Sequence, residues 1–255
     1  MQIKNSCVVV TGAAHGIGKG LAEKFAQMGA AHVICADIDL AGAEATAIEI
    51  GGTAKHVDVA SEDSIAALVD CVETEIAPIT LFCANAGILT RGGFEVSNDD
   101  WQRIWDINVM SHVWTARHLV PRMLERGGGY ILNTASAAGL LNQIGAAPYG
   151  VTKHAAVGFS EWLAITYGDK GIGVSVLCPQ AVRSEMTRGL ENSVASVDGL
   201  LEPEDVATAC AEAIEAGKFL VLPHPKVESY MQAKTADYDR WITGMQKLRD
   251  RFDNT

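Results

Sequence analysis

Residues 7–18 read CVVVTGAAHGIG, and this stretch decides the fold. Cys7–Thr11 is a short β-rich run with apolar residues in both parities, as expected of a parallel strand covered on both faces. Thr11-Gly12-Ala13-Ala14-His15-Gly16-Ile17-Gly18 follows, and a helical pattern opens at its end. Glycines here allow a tight turn and let the backbone approach a pyrophosphate at the helix N-terminus, where N–H groups and the helix dipole favour negative charge. The second strand ends at Asp37, about 20 residues later, where a carboxylate can take both hydroxyls of an adenosine ribose and repel a 2′-phosphate. His15 and Ile38 stand where an NADP site could use a basic residue, and neither supplies a fixed positive charge. The reading is a dinucleotide-binding loop that takes NAD. The plainer alternatives are a purely structural loop and, for Asp37, a helix N-terminal carboxylate.

Working outward, β-rich runs alternate with helical patterns along the whole chain. Candidate strands are Cys7–Thr11, His32–Ala36, Thr53–Asp58, Thr80–Ala84, Gly129–Thr134, Gly173–Cys178 and Phe219–Leu222. Helical patterns lie near Gly18–Met28, Ala41–Ile50, Glu62–Glu75, Asp99–Glu125, Tyr149–Tyr167 and Pro203–Ala216. This order predicts an α/β fold, a Rossmann-type doubly wound parallel sheet of about seven strands with helices on both faces. No linker, repeat or low-complexity run interrupts it, so residues 1–255 are expected to form a single domain. The stretch Tyr149–Tyr167 is apolar around much of its circumference, which calls for cover on two sides. The sheet is one cover and another subunit is a plausible second, so a homo-oligomer, a dimer or homotetramer, is expected.

The chain has 255 residues, 48% hydrophobic and 20% charged. It can bury roughly 70–75% of its unfolded surface and needs no covalent staples. The net charge of −11 argues against nucleic acid or an anionic membrane surface as main partner. No basic leader and no long apolar run is seen, so neither a secretory signal nor a transmembrane helix is expected. Cys7, Cys35, Cys71, Cys83, Cys178 and Cys210 are scattered without C-x-x-C spacing and read as reduced thiols of a cytoplasmic protein. The histidines form no ligand cluster, and no metal site is expected.

Tyr149 and Lys153 are four apart and share one face of a helix. An ammonium roughly 4 Å from the phenol, at an effective dielectric of about 20, contributes on the order of 4 kcal/mol. That is about three pKa units, enough to bring a tyrosine from about 10 toward the range where it exchanges protons with an alcohol or carbonyl oxygen. Taken alone, this spacing also occurs on ordinary helices.

Together these residues resemble the short-chain dehydrogenase/reductase family in its roughly 250-residue single-domain form. The resemblance spans about residues 3–222. It rests on the T-G-x-x-x-G-I-G motif from Thr11 to Gly18, on Asn85-Ala86-Gly87, on Asn108, on Ser136, and on Tyr149 with Lys153. It implies reversible hydride transfer between nicotinamide and a carbinol carbon. Tyr149 would be the general acid/base, and Lys153 would lower its pKa and bind the nicotinamide ribose. Ser136 would donate to the substrate oxygen, and Asn108 would hold a water linking Lys153 to solvent. Asp58 and Val59 resemble the residues that meet the adenine ring, and Asn85, Ala86 and Gly87 those that support the cofactor cleft. Pro179 and Val182 fit the nicotinamide side, and Ser184 stands where a threonine is common. Gln180 departs from the usual Pro-Gly, so its side chain either contacts nicotinamide or substrate or is a tolerated surface variant.

The resemblance implies pocket walls at residues 87–94, 137–144, 180–184 and the irregular segment 185–201, a candidate lid. Ile88, Leu89, Leu140, Leu141, Ile144, Met186 and Leu190 make them largely apolar, with Arg91, Gln143 and Arg183 as polar exceptions. The implied substrate is a medium-sized, largely hydrophobic secondary alcohol or ketone, aromatic or alicyclic. A specialised substrate such as a steroid, a dihydrodiol or an acyl thioester is the alternative. A non-enzymatic dinucleotide sensor is the reading from another class, disfavoured because the whole catalytic set is present. Residues 224–255 form a charged helical tail with an apolar stripe of Tyr238, Trp241, Ile242, Met245, Leu248 and Phe252. Packing on its own or a neighbouring subunit, a contribution to the pocket in an oligomer, and a membrane-surface role are its possible uses, the last disfavoured by interspersed acidic residues.

Overall fold

The computed structural model describes residues 1–189 and 194–253. Its seven strands are β1 Cys7–Thr11, β2 His32–Asp37, β3 Thr53–His56, β4 Leu81–Ala84, β5 Gly129–Thr134, β6 Ile172–Leu177 and β7 Leu220–Val221. They form one parallel sheet in the order β3-β2-β1-β4-β5-β6-β7. The chain reverses direction across the sheet between β1 and β4, and the crevice at their C-terminal ends is where such sheets bind ligands. The expected strands are all present. The third stops at His56 because Asp58 turns into the next helix: its N–H donates to Ser64 Oγ and its Oδ1 accepts from Ala60 N–H.

The helices are α1 Gly16–Gln27, α2 Leu40–Ile50, α3 Glu62–Glu75, α4 Asn98–Trp105, α5 Ser111–Glu125, α6 Ala138–Leu141, α7 Ala147–Tyr167, α8 Pro203–Ala216, α9 Lys226–Ala236 and α10 Tyr238–Asp253. Strand parity divides the core. Val8 and Val10 face Leu21 and Phe25 of α1 and Val206, Cys210 and Ile214 of α8. Cys7 and Val9 face Ile65 and Leu68 of α3, Leu119 and Met123 of α5, and Leu163 of α7. At Gly20 the two helices of the first layer approach so closely that a Cβ would stand 2.9 Å from the Pro203 carbonyl oxygen. All six cysteines are free, and only Cys71 is not buried. Among the described residues no helix is long and apolar enough to cross a membrane.

Two elements differ from the sequence expectation. The helix expected over Asp99–Glu125 is α4 and α5 joined by a π-helical turn at Asp106–Met110. Such a turn inserts one extra residue into a helix and re-aims the side chains on it, among them Asn108. The tail is two helices, because Asp237 leaves the helical conformation and caps α10 by accepting from Arg240 N–H at 2.9 Å. The stripe divides accordingly. Trp241 packs on Leu141 and Val227, whereas Tyr238 and Ile242 are exposed. On α7, Val151, Trp162 and Ile165 are exposed in the isolated chain.

One side chain ties the centre of the sheet together. Asn85 Nδ2 donates to the Thr11 carbonyl at 3.0 Å, its N–H donates to Thr11 Oγ1 at 2.9 Å, and its Oδ1 accepts from Thr134 Oγ1 at 3.1 Å. Replacing it by alanine strips partners from groups on β1 and β5. Asn85→Ala should lower unfolding free energy by about 1–3 kcal/mol. The measure is a lower urea midpoint at unchanged slope, and an unchanged midpoint would show that the amide is dispensable.

Candidate active site

The glycine loop lies at the C-terminal end of β1. Gly12 has φ +70° and Gly16 has φ +54°, conformations that L side chains rarely adopt. Gly18 is required for a different reason: a Cβ there would stand 2.0 Å from the Gly12 carbonyl oxygen. His15 is the N-cap of α1 without a capping side-chain bond, since its ring meets Asp39 Oδ2 at 3.3 Å. The first-turn N–H groups of α1 therefore face the crevice without competition from a cap. Asp37 closes the far side. Its Oδ2 accepts from Ala14 N–H and its Oδ1 from Asp39 N–H, both at 3.0 Å. Ile38 beside it is exposed, and Asp58 and Val59 are half-buried at the end of β3. A loop that excludes Cβ atoms, an open helix N-terminus and a fixed carboxylate at the end of β2 fit a dinucleotide.

Across the crevice, Tyr149 lies in the first turn of α7 and Lys153 one turn further on. Lys153 is buried, and its Nζ donates to the Thr134 carbonyl at 3.0 Å. Gly87 makes room for it: a Cβ there would lie 3.3 Å from Lys153 Nζ and 3.2 Å from Asn108 Oδ1. Asn108 is locked onto the backbone of Ile88, accepting from its N–H and donating to its carbonyl, each at 2.9 Å. Its Nδ2 also reaches Thr152 Oγ1 at 3.2 Å. Ser136, just beyond β5, donates to the Pro179 carbonyl at 3.3 Å and accepts from Ala138 N–H at 3.1 Å, and its hydroxyl lies beside the Tyr149 phenol. Asn108, Ser136, Tyr149 and Lys153 thus come together.

The electrostatics differ from the simple pair expected from the spacing. Burial pushes the Tyr149 phenol above its ordinary 10, opposed by the hydrogen bond from Ser136. Burial also pulls Lys153 down to about 8. Its Nζ stands 5.7 Å from the Tyr149 ring centroid and is engaged by a carbonyl, so it does not act as a full charge about 4 Å from the phenol. The sequence reading also missed His112. It follows Asn108 by one helical turn, is buried, and has no hydrogen-bond partner at either ring nitrogen. Burial and the nearby Lys153 charge push it down to about 3, so it is neutral at working pH. The position four residues after Asn108 on a helix was its only sequence signal.

The segment after β6 closes over the loop. A Cβ on Gly16 would come within 3.1 Å of Ser184 Cβ. Val182 bridges Leu201, Ser184 N–H donates to Thr187 Oγ1, and Arg183 pairs with Glu202 at 2.8 Å. Of the expected apolar wall, Ile88, Leu89, Leu140 and Ile144 are half-buried, Leu141 is buried and Met186 is exposed. Leu190 lies outside the described residues. Arg91 is exposed, and the Gln143 amide caps the Ile144 carbonyl. Gln180 turns toward the tail: its amide lies against Asp198, which also pairs with Lys226 and Tyr230.

The family model for short chain dehydrogenases matches residues 6–195. The chain belongs to the short chain dehydrogenase family. It is similar to 1-deoxy-11-beta-hydroxypentalenate dehydrogenase of Streptomyces exfoliatus, 34% identical over 95% of this chain and 92% of that one. Cyclohexanol dehydrogenase of an Acinetobacter species is 31% identical over 82% of this chain and 88% of its own. Among solved structures, a short chain dehydrogenase/reductase from Burkholderia phymatum in complex with NAD superposes with a TM-score of 0.86 at 28% identity, covering 94% of this chain and 96% of that one.

The low pKa of Lys153 has a consequence for stability in this dehydrogenase. Between about 8 and 10.5 the unfolded chain keeps a proton that folded Lys153 has lost. The group's contribution therefore rises as pH climbs through that window. The stability of wild type minus that of Lys153→Met should increase across it, by up to about 3 kcal/mol. Urea unfolding at a series of pH values checks this, and a flat difference would show an unperturbed amine.

Proposed function

We propose that this protein is an NAD-dependent oxidoreductase that interconverts a secondary alcohol and a ketone, with Tyr149 as general acid/base. The observation that carries the reading is the Ser136 hydroxyl beside the Tyr149 phenol, with the buried Lys153 amine one helical turn further along α7. Bound nicotinamide supplies the hydride chemistry. Tyr149 takes the alcohol proton in oxidation and returns it to the carbonyl oxygen in reduction. Ser136 turns its hydroxyl to the reacting oxygen and stabilises charge as it develops. Lys153 holds the ribose and keeps the phenol's proton mobile. Asn108 holds a water beside Lys153. Gly12, Gly16, Ile17 and Gly18 seat the pyrophosphate, Asp37 the adenosine ribose, and Asp58 and Val59 the adenine.

NAD is favoured over NADP because a 2′-phosphate would meet the carboxylates of Asp37 and of Asp39 two residues on. The substrate is a medium-sized, largely hydrophobic alcohol or ketone, alicyclic in the first instance. The apolar wall supports this, and so does the similarity to a relative named for cyclohexanol. The described residues 185–189 and 194–201 flank the crevice and are the candidate lid, the rest of which lies outside the described residues. The exposed Val151, Trp162 and Ile165 favour a homo-oligomer built on α7. Six free cysteines, most of them buried, favour a cytoplasmic protein.

Tyr149→Phe should reduce turnover of a secondary alcohol by about 10²-fold or more while the NAD dissociation constant stays near wild type. Turnover is read as NADH absorbance, and a variant that keeps its rate removes the assignment. Asp37→Ser should shift the ratio of kcat/KM for NAD over NADP toward NADP by about tenfold or more, because it removes a charge facing the 2′-phosphate. An unchanged ratio would place cofactor choice elsewhere.

A further inference from the structure

The peptide unit joining Pro179 to Gln180 is held from both ends. Its carbonyl oxygen accepts from Ser136 Oγ at 3.3 Å and from Ala137 N–H at 2.8 Å. Its N–H donates to His224 Nδ1 at 3.2 Å. A peptide is planar, so turning its N–H turns its carbonyl with it. His224 follows β7, flanked by Pro223 and Pro225, and is buried. The Ala181 backbone lies beside the ring, the Asp198 carboxylate before α8 is near it, and Nε2 has no hydrogen-bond partner among the described residues.

We infer that His224 is a positioning residue for the reaction: by anchoring the Pro179–Gln180 peptide it fixes the carbonyl against which the Ser136 hydroxyl rests before it turns to the reacting oxygen. The inference rests on the role proposed above for Ser136. His224 does this as a neutral ring. Nδ1 must accept, so the proton sits on Nε2, and a second proton on Nδ1 would point at the Gln180 N–H. Burial holds the ring neutral, pulling its pKa below the ordinary 6.5, while the Ala181 backbone and the Asp198 carboxylate pull the other way. Asp198 is itself paired with Lys226 at the start of α9 and with the Tyr230 hydroxyl, so these groups share the local charge balance. As pH falls below the ordinary histidine range, the ring charges, the anchor is lost and turnover falls.

The test compares full-length wild type, Ser136→Ala, His224→Ala and His224→Asn, using NAD and the secondary alcohol that wild type oxidises fastest in a panel, from pH 5 to pH 9. His224→Ala should lose about tenfold in kcat, the effect of one hydrogen bond, with KM for NAD unchanged. Asparagine presents Oδ1 where the ring presents Nδ1 and does not titrate. His224→Asn should therefore recover most of the rate and lose the acid-side fall that wild type shows. Wild-type kcat in His224→Ala overturns the inference, as does a His224→Asn as impaired as the alanine variant or one that keeps the wild-type acid limb. Should His224→Ala not fold, the rate and acid limb of His224→Asn decide alone. Full turnover in Ser136→Ala, or none in wild type with any alcohol, would instead overturn the function on which the inference stands.

Discussion

The buried amine of Lys153 is the constraint around which this site is arranged. A charged amine out of water is costly unless it is hydrogen-bonded. The Thr134 carbonyl at the end of β5 supplies that bond. The rest of the neighbourhood gives the amine space and keeps competing charge away. Gly87 contributes the missing Cβ, the π-helical turn brings Asn108 onto the Ile88 backbone, and His112 remains neutral on the next turn. The result is an amine pulled to about 8, able to gain or lose its proton within the working range of an enzyme.

Much of this was legible in the sequence because it depends on residue type at fixed spacing. The both-parity apolar strands, the glycine loop, Asp37 at the end of β2 and the Tyr149–Lys153 helical pair all follow from local periodicity. The features that were not legible depend on distant partners. The π-helical turn reads as continuous helix, because the partner of its Asn108 is the Ile88 backbone, distant in sequence. The direction of the Tyr149 shift was missed because burial, which sequence spacing does not report, is its largest cause. His224 carries no sequence signal, since its partner Gln180 lies 44 residues before it. The break at Asp237 was readable in principle, since aspartate is a common N-cap, but a continuous apolar stripe masked it.

The tail is joined to the site rather than appended to it. Trp241 of α10 rests on Leu141, which follows Ser136 by one short helix. Lys234 of α9 donates to the Leu140 carbonyl at 2.6 Å, and Lys226 and Tyr230 hold Asp198 from the opposite side. The segment between β6 and α8 is therefore bounded by the glycine loop on one side and by the tail on the other. Gln180 faces this second boundary, with its amide against Asp198.

The Asn85 amide has a mechanical meaning as well. It stands just past β4 and reaches Thr11 on β1 and Thr134 on β5, one on each side of the line where the chain reverses its direction across the sheet. Strands on the β1 side carry the loop and carboxylate suited to a dinucleotide, and strands on the β5 side carry the groups suited to the reacting oxygen. Hydride passes only between atoms nearly in contact, and an error of about 1 Å can cost about a hundredfold in rate. A single carboxamide across that seam makes the two sides of the crevice behave as one rigid jig, so the gap between them is set when the sheet assembles.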